Sequence, residues 1–380
     1  MPMIKSVKGI RWVVISFSIC LAFMLYQTDY MNLGSIIALA TTGITFLLLL
    51  VQVLPSGRLG KFPLSLLLFL FFSVITTIAT SVTSELLKLV IQVLFCMAMF
   101  SIRLSNKENS YLKWAFIASM TFYSLLIIKV CSSDPSRYFH GDIQLFNTEF
   151  DPNYIALPIV CSMVFLLGNI IDKQSRIVSA VLFSIMVVSL MYTASRGAFL
   201  GLICGTITLT ILSLFKKEKG SRFIQIFFLA ILFFLLIYYL FPYFEEASGR
   251  LTDFNGENID NGRIGIWSLS IEKWLERPIF GFGVGSNIRV LGFANHNTFV
   301  ELLFCTGLVG LTLFLLILYA FYKKAKRCSI VHLAVFISLA VQCVFLDCLS
   351  NRCFWLLLTW MAMLPDNVKK DFHPINPSDR

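Results

Sequence analysis

The sequence predicts an all-α membrane protein, with about 12 transmembrane helices forming a single polytopic domain over residues 1–380. Three observations support this prediction. The chain is 57% hydrophobic, with 37 Phe and only 14% charged residues, which is more apolar surface than a soluble domain can bury. Apolar runs of about 20 residues, the length that a helix needs to cross the hydrocarbon core, recur along the chain. Basic residues cluster in alternate loops.

Twelve apolar runs mark the predicted spans. The last run is short, and the third and fourth are so close together that they form either two spans or one re-entrant pair, which leaves the count uncertain by one. The runs cover residues 12–30, 33–54, 62–82, 86–102, 114–131, 154–171, 177–195, 198–215, 223–241, 297–321, 330–350 and 353–365.

The basic residues predict the topology. Of the 31 Lys and Arg residues, 21 fall in alternate loops and in the two tails. The positive-inside rule makes that side cytoplasmic, with both termini there. The net charge of +10 therefore reflects membrane topology and does not indicate a nucleic-acid partner.

The remaining basic residues fall on or near the outer side, against the rule. Two outer loops, 132–153 and 242–296, are long enough to hold structure, and the second is unusually long for a connector. We expect it to contain an amphipathic helix lying on the outer membrane interface, because apolar residues recur at helical spacing before Pro278. That apolar face consists of Ile264, Trp267, Ile271 and Trp274.

Two arginines on this side are candidate anion ligands. Arg196 stands between two apolar runs, where a guanidinium costs roughly 2.5 to 3.5 kcal/mol at the bilayer centre and usually faces a cavity or a partner. Arg263 opens the amphipathic helix, whose amide groups and dipole also favour an anion. Two forked guanidiniums and a helix start suit a diphosphate. The alternatives are a snorkelling Arg196 and a salt bridge from Arg263 to Glu257 or Asp260.

Three further features leave alternatives open. The glycine-rich stretch at 281–286 is either a plain turn or a cradle of backbone amides for an anion. His296 is either a helix cap, a snorkelling interfacial residue or a chemical group, and Glu301 either orients His296 or caps a polar face. The ten cysteines show no CxxC pair and are interpreted as small core residues, and the outer side shows no cluster with metal-ligand spacing.

The segments "SRGAFLGL" at 195–202, "NGRIGIWSLSIEKWLERPIFGFGVGS" at 261–286 and "HNTFVELLFCTGLVGL" at 296–311 resemble the signature block of the bacterial O-antigen ligase and polymerase superfamily. Their order, spacing and membrane context agree with it. "DPNYIA" at 151–156 resembles a segment common in its polymerase members, so the matched motifs cover roughly residues 151–311.

The resemblance implies a metal-independent, cofactor-free membrane glycosyltransferase in the bacterial inner membrane, with its active site facing the periplasm. Its donor would be an oligosaccharide on undecaprenyl diphosphate. By motif, Arg196 and Arg263 match the diphosphate-binding arginines and His296 matches the proposed catalytic histidine. An imidazole can accept the proton of the acceptor hydroxyl near neutral pH.

Glu301 is a second catalytic candidate. The further candidates for substrate binding are Asn297, Asp151, Asn153 and Arg289. Besides the lipid-linked oligosaccharide, the expected partners are membrane lipid and, as a further candidate, a chain-length regulator protein.

Three functions remain open. The favoured one is a polymerase that joins repeat units carried on undecaprenyl diphosphate. The second is a ligase that transfers the glycan to lipid A core. The third is a multi-pass transporter, which the single long outer loop and the lack of inverted-repeat or broken-helix signals disfavour.

Overall fold

A computed structural model of the chain describes residues 10–25, 43, 62–80, 84–133, 143–145, 148–214, 263–349 and 351–365. Within these residues the protein is helical apart from one short hairpin. The helices are α1 (Trp12–Ala22), α2 (Leu64–Ile78), α3 (Ser84–Met99), α4 (Asn106–Ser133), α5 (Pro152–Ile171), α6 (Arg176–Thr193), α7 (Arg196–Leu214), α8 (Arg263–Trp274), α9 (Ser286–Leu291), α10 (Thr298–Cys328), α11 (Ile330–Gln342) and α12 (Arg352–Met363), and the strands are β1 (Ile143–Leu145) and β2 (Thr148–Phe150).

The helices follow the predicted spans. Ten of the twelve apolar runs contain a helix in the described part of the chain. The predicted spans 33–54, apart from residue 43, and 223–241 lie outside the described residues, as do the loop residues 134–142 and 242–262. Among the described helices, α4, α5, α6, α7 and α10 are long and apolar enough to cross a bilayer. The chain is therefore a multi-pass membrane protein.

The first predicted outer loop, 132–153, contains a short β-hairpin. Its strands β1 and β2 pair antiparallel, with Ile143 opposite Phe150, and both of these side chains are buried. The all-α prediction holds for the bundle, but the sequence did not predict this hairpin, because three-residue strands give too short a pattern to separate from a loop. The hairpin ends directly at Asp151, so it fixes where α5 begins.

Helix α5 forms the centre of the bundle, since almost all of its side chains are buried. It packs against α4, α6, α7 and α11. Phe165 stacks on Trp360 of α12, with ring centroids 5.1 Å apart. Gly168 lets α11 approach closely, because a Cβ there would collide with the side chain of Val331. The bundle is thus built around a helix whose side chains are almost all covered by protein.

Helix α10 is broken at Gly307, where φ is 63°. The backbone groups freed by the break pair with the segment 278–283. Leu308 donates its N–H to the Pro278 carbonyl at 2.9 Å, and Gly283 donates to the Cys305 carbonyl at 2.7 Å. This break corrects the expectation of unbroken spans. It is tolerated because residues 278–283 provide hydrogen-bond partners for the freed backbone groups.

Several loops predicted to be cytoplasmic meet at one end of the bundle. Arg11 forms a salt bridge with Glu108 at 2.7 Å, and Arg103 donates to the Ala362 carbonyl at 3.3 Å. Lys113 donates to Asn169 Oδ1 at 2.6 Å. These contacts bring together the N-terminal segment, the start of α4 and the ends of α5 and α12. Which end faces the cytoplasm remains a prediction.

Candidate active site

At the opposite end of the bundle lie the starts of α5, α7, α8 and α10 and the end of α11. Arg196 is the first residue of α7, and Arg263 is the first residue of α8. Burial lowers the pKa of the Arg263 guanidinium, and the positive charge of Arg196 lowers that pKa further. The charges of Asp151 and Asp347 act on Arg263 in the opposite sense. The two guanidiniums, separated by 66 residues of chain, therefore lie within electrostatic reach of each other.

A short hydrogen-bond chain holds the start of α7. Ser195 donates its hydroxyl to Asn153 Oδ1 at 2.7 Å, and the amide nitrogen of Asn153 donates to Asp151 Oδ1 at 2.9 Å. The same Asp151 oxygen caps α5 by accepting the Asn153 backbone N–H. Asp151 and Asn153 thus position the helix that begins with Arg196. Their predicted contact with substrate remains a prediction.

His296 stands one residue before α10 in a strained backbone conformation, with φ of 49°. The cap of α10 is Asn297, whose side-chain oxygen accepts the N–H groups of Phe299 and Val300. The cap alternative for His296 is therefore wrong. Its ring nitrogen Nδ1 is buried and has no hydrogen-bond partner among the described residues. A buried nitrogen without a partner is the kind of group that a bound substrate can satisfy.

Asp347 fixes the backbone of His296. One carboxylate oxygen accepts the His296 N–H at 3.0 Å, and the other accepts the Asn297 N–H at 2.9 Å. In the sequence, Asp347, Asn351 and Arg352 form a polar group near the end of a predicted span, a pattern that indicates either a cavity lining or internal pairing. Asn351 caps α12, its side-chain oxygen accepting the Phe354 N–H. An acidic residue inside a predicted span was the one available signal for Asp347.

The segment that carries Asp347 closes around the start of α10. Thr298 donates its N–H to the Cys343 carbonyl at 2.9 Å and its hydroxyl to the Leu346 carbonyl at 2.6 Å. The same hydroxyl accepts the Cys348 N–H at 2.9 Å. Tyr154 of α5 donates its hydroxyl to the Asp347 carbonyl at 3.2 Å. The backbone of the segment around Asp347 is thereby held from both α5 and α10.

Glu301 is buried in the first turn of α10, and its Oε2 has no hydrogen-bond partner among the described residues. His296 Nδ1 and Glu301 Oε2 therefore both lack a partner within the described part of the chain, at the same end of the bundle. The predicted orienting role of Glu301 is therefore not visible as a direct contact, and its catalytic role stays a prediction.

Helix α8 ties the Arg263 end of the site to the histidine. Ser270 donates its hydroxyl to Asn295 Oδ1 at 2.7 Å, and Trp267 donates its indole N–H to the Asn295 carbonyl at 2.9 Å. The predicted apolar face is consequently divided. Trp267 turns toward the protein, whereas Ile264 and Ile271 are 64% and 42% exposed. Only this outer part of the face remains available for the proposed membrane interface.

The glycine-rich stretch 281–286 is a packing element. The N–H groups of Phe282 and Gly283 bond to carbonyls of α10, and the Val284 N–H bonds to the Thr77 hydroxyl of α2 at 2.9 Å. These amides are occupied, so the turn alternative replaces the anion cradle. Arg289, a candidate substrate ligand, lies exposed on the following short helix α9.

Comparison with known protein families gives a match over residues 181–315, which is described as O-antigen ligase. This segment is an O-antigen ligase family domain. It contains Arg196, Arg263 and His296, and it confirms the resemblance drawn from the motifs. A search of curated proteins found no match. The O-antigen ligase family indicates a membrane glycosyltransferase-like enzyme with ligase-type or polymerase-type activity.

The segment that matches the O-antigen ligase family thus holds two cations and a histidine whose Nδ1 has no partner in the described part of the chain, all at one end of the bundle. Such a set can bind a diphosphate and accept a proton. Among the described residues, no group of three or more His, Cys, Asp or Glu side chains is arranged to hold a metal ion.

Proposed function

We propose that the protein is an O-antigen polymerase that joins repeat units linked to undecaprenyl diphosphate at the periplasmic face of the bacterial inner membrane. The proposal rests chiefly on Arg196, Arg263 and His296 lying within one O-antigen ligase family domain, at one end of the helix bundle. Membrane lipid surrounds the protein, and a chain-length regulator protein is a proposed partner.

The chemistry follows from these groups. The acceptor sugar hydroxyl lies against the imidazole of His296, which takes its proton as the oxygen attacks the anomeric carbon of the donor. The bond between that carbon and the diphosphate oxygen breaks, and the electron pair leaves with the lipid diphosphate. Arg196 and Arg263 stabilise the departing negative charge with forked, charge-assisted hydrogen bonds. In this scheme the two arginines supply the charge stabilisation, so we expect no metal requirement.

The ligase reaction uses the same chemistry with a different acceptor. The segment "DPNYIA" favours the polymerase, because it resembles a segment of the polymerase members. The break in α10 does not support the transporter alternative. The backbone groups at Gly307 pair with residues 278–283 and are not left to coordinate an ion.

The acceptor requirement separates the three functions. Purified protein in lipid nanodiscs would be given undecaprenyl-diphosphate repeat units as the only glycan, and the products would be resolved by length. The polymerase lengthens the chain with no other acceptor present. Transfer that requires added lipid A core would instead identify a ligase. Absence of glycan transfer with either acceptor would support the transporter alternative.

A further inference from the structure

One side of α10 is exposed along the helix after its break at Gly307. The exposed residues of this side recur at helical spacing, so they form a continuous outer stripe. The outer stripe consists of Leu308, Leu315, Leu316 and Tyr319, each between 47% and 52% exposed, followed by the exposed cations Lys323, Lys326 and Arg327. Because α10 is long and apolar enough to cross a bilayer, the apolar part of the outer stripe faces lipid.

The cations of the outer stripe lie at the depth of lipid headgroups. Lys323 holds its Nζ 4.5 Å from the centre of the Tyr319 ring, and that ring stacks on Tyr322 with centroids 6.5 Å apart. Tyrosine rings favour the membrane–water interface, and lysine extends its ammonium toward it. At 1.5 Å per residue, Lys323 lies about 22 Å along the helix from Leu308. The charged end of the stripe therefore follows directly on the part that meets hydrocarbon.

Within the described part of the chain, no acidic side chain forms a salt bridge with Lys323, Lys326 or Arg327. The only acidic residue of α10 is Glu301, at its other end. Helices α2, α11 and α12 pack against α10 and contain no acidic residue within their bounds. A cluster of cations next to a lipid-facing helix surface attracts anionic lipids. Position and charge therefore both suit an anionic headgroup.

We propose that Lys323, Lys326 and Arg327 bind the phosphate of an anionic phospholipid whose acyl chains lie along the leucines of the outer stripe. Lysine and arginine donate charge-assisted hydrogen bonds to phosphate oxygens. The apolar stripe makes a lipid, rather than free phosphate, the occupant. The site lies at the end of α10 farthest from His296, so it is separate from the proposed active site. The inference requires only that the protein spans a membrane and does not depend on the proposed function.

The test compares two lipid probes that differ only in the headgroup. Full-length protein in phosphatidylcholine nanodiscs would receive phosphatidylglycerol or phosphatidylcholine with a photoreactive acyl chain, and crosslinks would be mapped to residues 308–328. In the wild type we expect far more labelling of this segment by the phosphatidylglycerol probe.

The triple variant Lys323→Gln/Lys326→Gln/Arg327→Gln should label equally with both probes. Each cation near a membrane surface strengthens the binding of anionic lipid roughly 5-fold, so we expect roughly 100-fold weaker binding when unlabelled phosphatidylglycerol competes. The matched control is Lys107→Gln/Lys173→Gln, which removes two exposed cations outside the outer stripe and should keep the wild-type preference.

Equal labelling of the wild type by both probes, or an unchanged preference in the triple variant, would overturn the proposal. Cations at a helix C-terminus also stabilise the helix dipole. A triple variant that melts at a lower temperature but keeps the preference would assign the cations to that role alone. Displacement of the phosphatidylglycerol probe by inorganic phosphate would show that the site takes a free anion instead of a lipid. If the triple variant does not fold, Lys326→Gln alone should weaken binding roughly 5-fold, and unchanged binding would overturn the proposal.

Discussion

The backbone of His296 is strained, and Asp347 holds it in place. A left-handed conformation costs a non-glycine residue on the order of 1 to 3 kcal/mol, and the φ of His296 is 49°. The carboxylate of Asp347 accepts two neighbouring N–H groups, and hydrogen bonds to a charged group contribute roughly 1.5 to 3 kcal/mol each. The carboxylate can therefore offset the strain and fix the direction of the imidazole.

Asp347→Asn should impair transfer while His296 remains present. An asparagine offers only one oxygen, so one of the two amides loses its acceptor and faces an NH2 group instead. A loss of about 1.5 to 3 kcal/mol corresponds to a rate roughly 10- to 100-fold lower in a transfer assay. The matched control is Asp172→Asn, an exposed aspartate at the other end of α5. Equal transfer by wild type and Asp347→Asn would show that this carboxylate does not position the histidine.

Arg196→Lys and Arg263→Lys should each reduce transfer, although both keep the positive charge. A lysine ammonium is a point donor and cannot bind two diphosphate oxygens at once. We expect weaker donor binding and a slower chemical step, measured as a higher KM together with a lower kcat. Arg176→Lys is the control, because Arg176 donates to the Ile170 carbonyl at the opposite end of the bundle. Full activity in both site variants would mean that charge alone suffices or that the diphosphate binds elsewhere.

At the scale of elements, the site depends on a broken helix and on the segment that pairs with it. Periodicity and hydropathy predicted α10, since its residues form one long apolar run. The break could not be predicted, because a single glycine in such a run is equally compatible with a continuous helix. The hairpin β1–β2 was missed for a similar reason, being only three residues on each side.

Gly307→Ala should destabilise the protein. Gly307 has a φ of 63°, which disfavours a side chain by roughly 1 to 2 kcal/mol, and an added Cβ would also collide with the Ile279 carbonyl. We expect a lower melting temperature and less folded protein in the membrane. Gly265→Ala is the control, because a Cβ at Gly265 in α8 meets nothing within 4 Å. If Gly307→Ala were as stable as Gly265→Ala, the break would not be a required part of the fold.

At the scale of the whole molecule, the sequence predicted the membrane bundle, the clustering of basic loops and the residues matched by the family motifs. Arg196, Arg263 and His296 could be proposed because their sequence motifs are local. Asp347 and Asn295 could not, because their roles depend on contacts with residues far away in the chain or on another helix. Asp347 lies 51 residues after His296, and nothing in the local pattern of either residue indicates the pairing.

Activity should be independent of divalent cations. The proposed site stabilises the leaving diphosphate with Arg196 and Arg263, so magnesium or manganese has no charge left to neutralise. Transfer of lipid-linked glycan by purified protein should therefore be unchanged after treatment with EDTA and dialysis. Loss of transfer that added magnesium or manganese restores would contradict the proposed mechanism.

The most direct test of the account is the rate of glycan transfer by purified His296→Ala, given undecaprenyl-diphosphate repeat units as donor and acceptor. Donor binding rests on the arginines, so the variant should bind the lipid-linked glycan as tightly as the wild type. Its transfer rate should fall by roughly 10² to 10⁴-fold, the usual contribution of a general base. His332→Ala, at the opposite end of the bundle, should transfer at the wild-type rate per folded molecule. A His296→Ala protein that makes wild-type chains at the wild-type rate would contradict the account, because the imidazole would then have no part in the reaction.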